Sequence, residues 1–172
     1  VRCHGMGGRQ VRTGPDSGEI FDHHAVEYEY ADGSHLFSQC EQIQGCWNSV
    51  SEHVIGTKGT CDISGHDIRG ANEWKFKQEG ARDPYQQEHD DLFDAIRTDK
   101  PYNEAEYGAI STMTAIMGRM ATYSGKMVEW DEAFNSKIDL AAKVLAWDAN
   151  PPTMPDSNGH YPIPVPGKTV TV

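Results

Sequence analysis

A glycine-rich stretch near the start of the chain carries the polar residues with the clearest potential for ligand binding. Between Gly7 and Gly14 it offers Arg9, Gln10 and Arg12 together with exposed backbone amides. Guanidinium groups and free amides are suited to binding phosphate oxygens or substrate hydroxyls. The same stretch is also compatible with a crossover loop that packs on a neighbouring subunit, because long loops serve either purpose. Both interpretations stay open.

Histidines form the second group with possible chemistry. His23 and His24 stand at the entry to a predicted strand, where successive side chains face opposite ways, so at most one can face a shared cleft. Imidazole suits ligand binding or acid–base work, although a lone histidine is more often a hydrogen-bonded structural residue. His89 shares the apolar side of a predicted helix, which favours a buried core histidine over a site residue. No spacing among the histidines indicates a metal site.

The composition excludes some classes of partner. The 172 residues carry a formal net charge of −11 without a lysine or arginine cluster, so we expect no nucleic-acid or membrane partner. No apolar run approaches the length of a membrane span. The four cysteines form no Cys-x-x-Cys pair and no zinc-like spacing, which favours free thiols and a reducing cytoplasm.

Periodicity predicts strands first and helices afterwards. Alternation in Ala25–Tyr30, followed by the turn residues Asp32-Gly33, predicts a hairpin with His35–Gln42. Short turns between consecutive strands imply an antiparallel meander. The remaining predicted strands are Val1–Met6, Val50–Ile55, Thr60–Ser64, Glu73–Gln78 and Lys126–Trp130.

Two helices and a short third follow. Asp83 is a suitable N-cap with Pro84 in the first position, and Lys100-Pro101 ends that helix. Asn103 is the predicted cap of a longer helix that ends before Gly125. Asp131 is the predicted cap of a short third helix.

These elements predict an α+β fold with an open, mostly antiparallel β-sheet and two or three helices on one face. We expect one domain over residues 1–149. Two or three helices cannot cover both faces of its sheet, so the other face needs a partner or must be polar. Prolines throughout residues 150–172 predict an extended Pro-rich C-terminal arm that lies on its own domain or on a neighbour.

Several short motifs follow one another along most of the chain. They are Gly7-Gly-Arg-Gln-Val-Arg-Thr-Gly14, Phe21-Asp-His-His24, Phe37-Ser-Gln-Cys40, Gly45-Cys-Trp-Asn48, Ser51–Gly59 and the helix pair Glu88–Ile96 and Gly108–Gly125. Together they resemble the C-terminal domain of the Gfo/Idh/MocA family of nicotinamide-dependent sugar oxidoreductases, in a bacterial subgroup. Some members of that subgroup are exported, so the resemblance also allows a periplasmic location.

The resemblance implies hydride transfer between a sugar or cyclitol hydroxyl and NAD or NADP in an intact parent enzyme. It implies that a Rossmann domain binds the cofactor and that the open sheet face forms a homo-oligomer. Neither a Gly-rich dinucleotide loop nor the family's Glu-Lys-Pro motif occurs here, so we expect no catalytic, cofactor-binding or metal residue in this chain. The fragment alone is expected to be inactive.

On this resemblance, the candidate substrate-binding residues include the loop residues Arg9, Gln10 and Arg12, placed over the nicotinamide and sugar. Trp47 suits stacking on a sugar ring or a subunit contact, and Tyr85 begins a helix with exposed amides. The other candidates are His23, His24 and His89. Two alternatives remain: an NAD-dependent glycosidase of the same family, and a stand-alone, non-catalytic oligomerisation or carbohydrate-binding module.

Overall fold

The computed structural model describes residues 1–77, Gly80 and residues 82–172. Its elements in chain order are β1 (Arg2–Gly8), β2 (His23–Glu29), β3 (His35–Glu41), β4 (His53–Gly56), β5 (Gly59–Asp62), β6 (Asp67–Gly70), β7 (Trp74–Lys75), α1 (Pro84–Thr98), α2 (Ala105–Ser124), β8 (Val128–Glu129) and α3 (Trp130–Phe134). The predicted α+β class with open antiparallel strand pairing is confirmed, with two sheets where one was predicted.

The chain forms two compact units. The first contains residues 1–44 and 104–172, and the second contains residues 45–103. The strands divide accordingly between two four-stranded sheets, ordered β3-β2-β1-β8 and β4-β5-β6-β7. Periodicity predicted the strands without indicating this division, because a pattern of alternation does not specify which strands share a sheet.

In the first unit, α2 covers one face of the β1–β2 pair. Met117, Ala121 and Val128 are inaccessible to solvent, and they pack with Cys3, Val26, Tyr28 and Ala133. Met117 and Ala121 of α2 therefore form part of the core. Strand register places residues of β1, β2 and β3 in rows, such as Gly7 beside His24 and His24 beside Cys40.

Gly118 brings α2 into close contact with β2. A Cβ at this position would lie 2.2 Å from Tyr28 Oη, and that hydroxyl donates a hydrogen bond of 2.9 Å to the carbonyl oxygen of Thr114. Tyr28 is buried and cannot swing away freely. We expect Gly118→Ala to lower the free energy of unfolding by about 1–3 kcal/mol, measured by urea denaturation.

Gly108 is the matched control within the same helix. Among the described residues, no atom beyond the flanking residues and the helix's own backbone lies within 4 Å of a Cβ built at Gly108. Gly108→Ala should therefore raise stability by about 0.5–1 kcal/mol through helix propensity alone. Equal effects of the two substitutions would contradict the close contact at Gly118.

The second unit contains the meander β4–β7 and the helix α1. The predicted N-cap of α1 is confirmed, since the Asp83 carboxylate accepts hydrogen bonds from the amides of Tyr85 at 2.8 Å and Gln86 at 3.2 Å. Asp99 ends the helix in the left-handed conformation with a φ of 53°. Ala95 is the buried residue of this helix, whereas its larger apolar side chains are exposed.

Some predicted boundaries were wrong. α2 begins after Glu104 rather than after Asn103, and α3 begins at Trp130, before Asp131. The residues before the two helices, Glu104 and Glu129, make no side-chain cap hydrogen bond. Of the strand predicted over Glu73–Gln78, the structure contains the two residues of β7, Trp74–Lys75. Gln78, the predicted end of that strand, lies outside the described residues. β6 was missed, since it is too short to show alternation.

Residues 150–172 contain neither helix nor strand, as the prolines predicted. The arm lies on the first unit. The Gly167 amide donates a hydrogen bond of 2.6 Å to the carbonyl oxygen of Ser124, and Val172 packs against the core. Within the described ranges, no helix has both the length and the apolar character needed to cross a bilayer.

Candidate functional site

Polar side chains converge at one end of the first unit's sheet. There β1 ends at Gly8 and β2 begins at His23, with the loop of residues 9–22 between them. The C-terminal turns of α2 reach the same end, because Thr122 contacts His24. We refer to this group, residues 9–24 with Arg119, Thr122 and Tyr123, as the sheet-end cluster.

Asp22 is the centre of the sheet-end cluster. Its side chain is fully buried. Oδ2 accepts hydrogen bonds from three successive backbone amides, at 2.8 Å from Gln10, 2.6 Å from Val11 and 3.0 Å from Arg12. Oδ1 lies 2.8 Å from Nδ1 of His23. The glycine-rich loop is therefore folded around a carboxylate that is distant in sequence.

These bonds stabilise the ionised form of Asp22. Burial alone would raise its pKa, but the three backbone hydrogen bonds and the bond from His23 outweigh burial and lower the pKa well below the usual 3.8. Asp22 therefore stays charged throughout the neutral and mildly acidic range.

This lowered pKa predicts an acid-dependent loss of stability. Below its usual pKa the unfolded chain binds a proton that the folded protein does not, so the contribution of Asp22 is present above about pH 5 and falls as the pH decreases through this window. Asp22→Asn should flatten the pH dependence of the urea midpoint between about pH 5 and 3. The other carboxylates contribute equally to the pH dependence of the wild type and of Asp22→Asn, so they do not affect the difference between the two. Equal slopes would contradict the prediction.

Arg9 and Arg12 have different roles in the loop. The Arg9 guanidinium donates to the carbonyl oxygens of Arg12, Gly14 at 3.2 Å and Gly18 at 2.6 Å, so it organises the loop. In contrast, Nε of Arg12 is buried and has no hydrogen-bond partner within the described part of the chain. An unpaired buried donor is energetically costly. Gln10 is exposed.

His23 and His24 face opposite sides of the sheet, as predicted. His23 lies on the face away from α2, with 39% of its side chain exposed. A Cβ at Gly8 would lie 3.2 Å from the His23 ring, so the neighbouring strand leaves space beside the imidazole. On β3, Glu41 is its partner in register.

His24 packs beneath α2. Its Nδ1 lies 2.9 Å from Oγ1 of Thr122, and that hydroxyl donates to the carbonyl oxygen of Arg119 at 3.1 Å. A hydroxyl has one hydrogen to donate, so Nδ1 of His24 is the donor and Nε2 carries the lone pair. Burial first, and then the charges of His23 and Arg119, lower the pKa of His24. The ring is therefore neutral at neutral pH.

Asp22 was missed as a site candidate. Three further cluster residues were missed because they belong to α2. Arg119 lies over the Tyr123 ring, 4.5 Å from its centre, and its guanidinium lies 3.5 Å from Oε1 of Glu19. The hydroxyl of Tyr123 accepts a hydrogen bond of 3.3 Å from the Phe21 amide. The sequence signal was the appearance of Arg119 and Thr122 among the apolar residues Met117 and Ala121 near the end of the helix.

The other predicted site residues lie in the second unit. Trp47 is 83% exposed and Tyr85 is 75% exposed. The prediction that His89 is a buried core residue was wrong, because 59% of its side chain is exposed and Nδ1 bonds to the carbonyl oxygen of Tyr85 at 2.6 Å. The apolar side of α1 was recognised correctly, but the side chains around His89 remain exposed.

The face of the first sheet away from α2 is open and mixed in character. Met6 and Phe37 are 77% and 68% exposed, and they line a shallow groove of about 240 Å³. Charged groups surround it. Glu27 lies 3.3 Å from His4 and 2.7 Å from His35, and Arg2 pairs with Glu29 at 2.7 Å.

Comparisons with protein-family models, curated proteins and solved structures found no match to this chain. Across the described residues, no group of three or more His, Cys, Asp or Glu side chains is arranged to hold a metal ion. The function must therefore be inferred from the residues and their geometry.

Proposed function

We propose that this chain is the substrate-facing and oligomerising C-terminal domain of an oxidoreductase. The reaction would transfer a hydride between a sugar or cyclitol hydroxyl and NAD or NADP. One observation carries this proposal. The motifs Gly7–Gly14 and Phe21–His24, both part of the resemblance to the Gfo/Idh/MocA family, meet through the Asp22 carboxylate in one polar cluster.

The sheet-end cluster has the groups that a polyhydroxylated ligand needs. Such ligands bind where several donors and acceptors converge from a rigid scaffold. Nε2 of His23 is an acceptor on an accessible ring. Gln10 adds an exposed amide side chain.

The residues of the cluster do not fit a dinucleotide phosphate. Its cradle of successive amides, Gln10–Arg12, is already filled by the Asp22 carboxylate, which would repel a second anion. A single 3-10 turn at Pro15–Ser17 follows the loop, rather than the helix that a dinucleotide-binding motif requires. In the proposal, a separate domain binds NAD or NADP.

The open sheet face is the proposed oligomerisation surface. Exposed apolar side chains such as Met6 and Phe37 rarely cluster on the surface of a monomer without a partner. Groups of both charges surround them, so two copies of the face can be complementary. A twofold homo-oligomer would place this groove at its centre.

Two measurements test the proposal. Light scattering on the 172-residue chain should give a discrete dimer or tetramer, and calorimetry should detect no NAD binding. The reading frame upstream of Val1 should encode a Gly-x-Gly-x-x-Gly strand–turn–helix, and the protein expressed from it should oxidise a sugar or cyclitol. Stoichiometric NAD binding by the chain alone would overturn the assignment.

The same assay separates the glycosidase alternative. Net production of NADH marks a dehydrogenase, whereas release of free sugar without net NADH marks a glycosidase that oxidises its substrate transiently. An upstream start codon with no dinucleotide-binding segment would instead support the stand-alone module.

A further inference from the structure

The sheet-end cluster contains a buried carboxylate that holds an accessible imidazole. The Asp22 side chain is fully buried, while 39% of the His23 side chain is exposed. Oδ1 of Asp22 lies 2.8 Å from Nδ1 of His23. Because three backbone amides anchor Oδ2, the carboxylate cannot rotate away with the ring. The imidazole is thus fixed from its buried side.

This contact determines which ring nitrogen carries hydrogen. An ionised carboxylate only accepts hydrogen bonds, so Nδ1 of His23 must be the donor. In the neutral ring, Nε2 then has a free lone pair. Nε2 lies beside Gly8, which has no side chain to cover it. The charged and titratable neighbours are Asp22, Glu41 on β3, and His24 on the opposite face.

We propose that His23 accepts a hydrogen bond from a ligand hydroxyl through Nε2, and that Asp22 is the positioning residue that makes this nitrogen an acceptor. The ligand class, a polyhydroxylated small molecule, rests on the proposed function. The structural requirement is a lone pair on an accessible nitrogen, and the Asp22–His23 pair supplies it.

The location of the ring hydrogen is the direct test. ¹⁵N NMR of the chain, recorded at a pH where the His23 ring is uncharged, should show the ring hydrogen on Nδ1. In Asp22→Asn, the amide oxygen should keep facing the three loop amides, which turns the NH₂ group toward His23. Nδ1 must then accept, so the hydrogen should move to Nε2. A wild-type ring protonated at Nε2 overturns the proposal. The proposal is also overturned if the His23 ring hydrogen stays on Nδ1 in Asp22→Asn while the loop amides remain protected from hydrogen exchange.

Diethyl pyrocarbonate tests the accessible lone pair, because it acylates unprotonated imidazole nitrogen. The rate of modification of His23, read by mass spectrometry, should fall about tenfold or more in Asp22→Asn. Glu27→Gln is the matched control. It makes the same chemical change beside His35, whose Nδ1 lies 2.7 Å from Glu27, and it should leave the His23 rate unchanged.

Addition of myo-inositol tests the ligand. It should slow the modification of His23 in the wild-type chain and leave that of His35 unaffected. Equal rates with and without saturating myo-inositol overturn the hydroxyl-binding role, even with the predicted ring hydrogen. The proposed function fails on a separate result, the lack of sugar oxidation by the intact enzyme, so the two failures are distinguishable.

Discussion

Met117→Ala is expected to lower the free energy of unfolding of the first unit by about 2–5 kcal/mol. Met117 is completely inaccessible to solvent, and it packs against the core formed by α2 and the β1–β2 pair. Its carbonyl oxygen also accepts the Cys3 thiol at 3.5 Å, so the helix backbone is held in place and the cavity cannot collapse easily. Urea denaturation followed by circular dichroism measures the loss.

Met154→Ala is the control for the methionine side chain itself. Met154 is 54% exposed in the C-terminal arm, so its truncation should change stability by no more than about 0.5 kcal/mol. Comparable losses in the two variants would mean that α2 does not cover the sheet as described.

Asp22→Ala is expected to have a second large effect, a loss of about 3 kcal/mol or more. Removal of the carboxylate leaves the amides of Gln10, Val11 and Arg12 without their acceptor, and His23 loses the partner of Nδ1. Hydrogen exchange should show the three amides protected in the wild type and open in the variant.

Two control variants separate the effect of removing a negative charge from the loop from the effect of removing the hydrogen bonds of Asp22. Asp16→Ala removes an exposed carboxylate from the same loop and should be nearly neutral, within about 0.5 kcal/mol. Asp22→Asn keeps an oxygen facing the three amides, and so should lose less stability than Asp22→Ala. If Asp16→Ala costs as much as Asp22→Ala, then general charge rather than the hydrogen bonds of Asp22 holds the loop.

Local chemistry explains which elements could be predicted. The hairpin of β2 and β3 follows from alternation and an Asp-Gly turn, and the structure confirms it with Gly33 at a φ of 82°. The start of α1 follows from Asp83 and Pro84 for the same reason, since a cap and its first turn are adjacent in sequence. Signals of this kind need no knowledge of the rest of the fold.

Long-range pairing explains what could not be predicted. The partners of Asp22 are backbone amides, which every non-proline residue has, so the sequence contains no mark of the pairing. The apolar side of α1 was read correctly, but a pattern cannot state whether another element covers it, and His89 is exposed. Of the candidate site residues, Arg9, Gln10, Arg12, His23 and His24 lie in one cluster.

The interrupted first unit has a consequence for synthesis on the ribosome. β1 and β2 leave the ribosome before α2, which covers them and follows only after residues 45–103. At the usual rate of about 5–20 residues per second, the sheet waits several seconds for its helix. Burial raises the pKa of the Cys3 thiol to about 11 in the finished fold, which makes it inert. During that interval the nascent thiol has no such protection, and oxidants could reach it before the helix arrives.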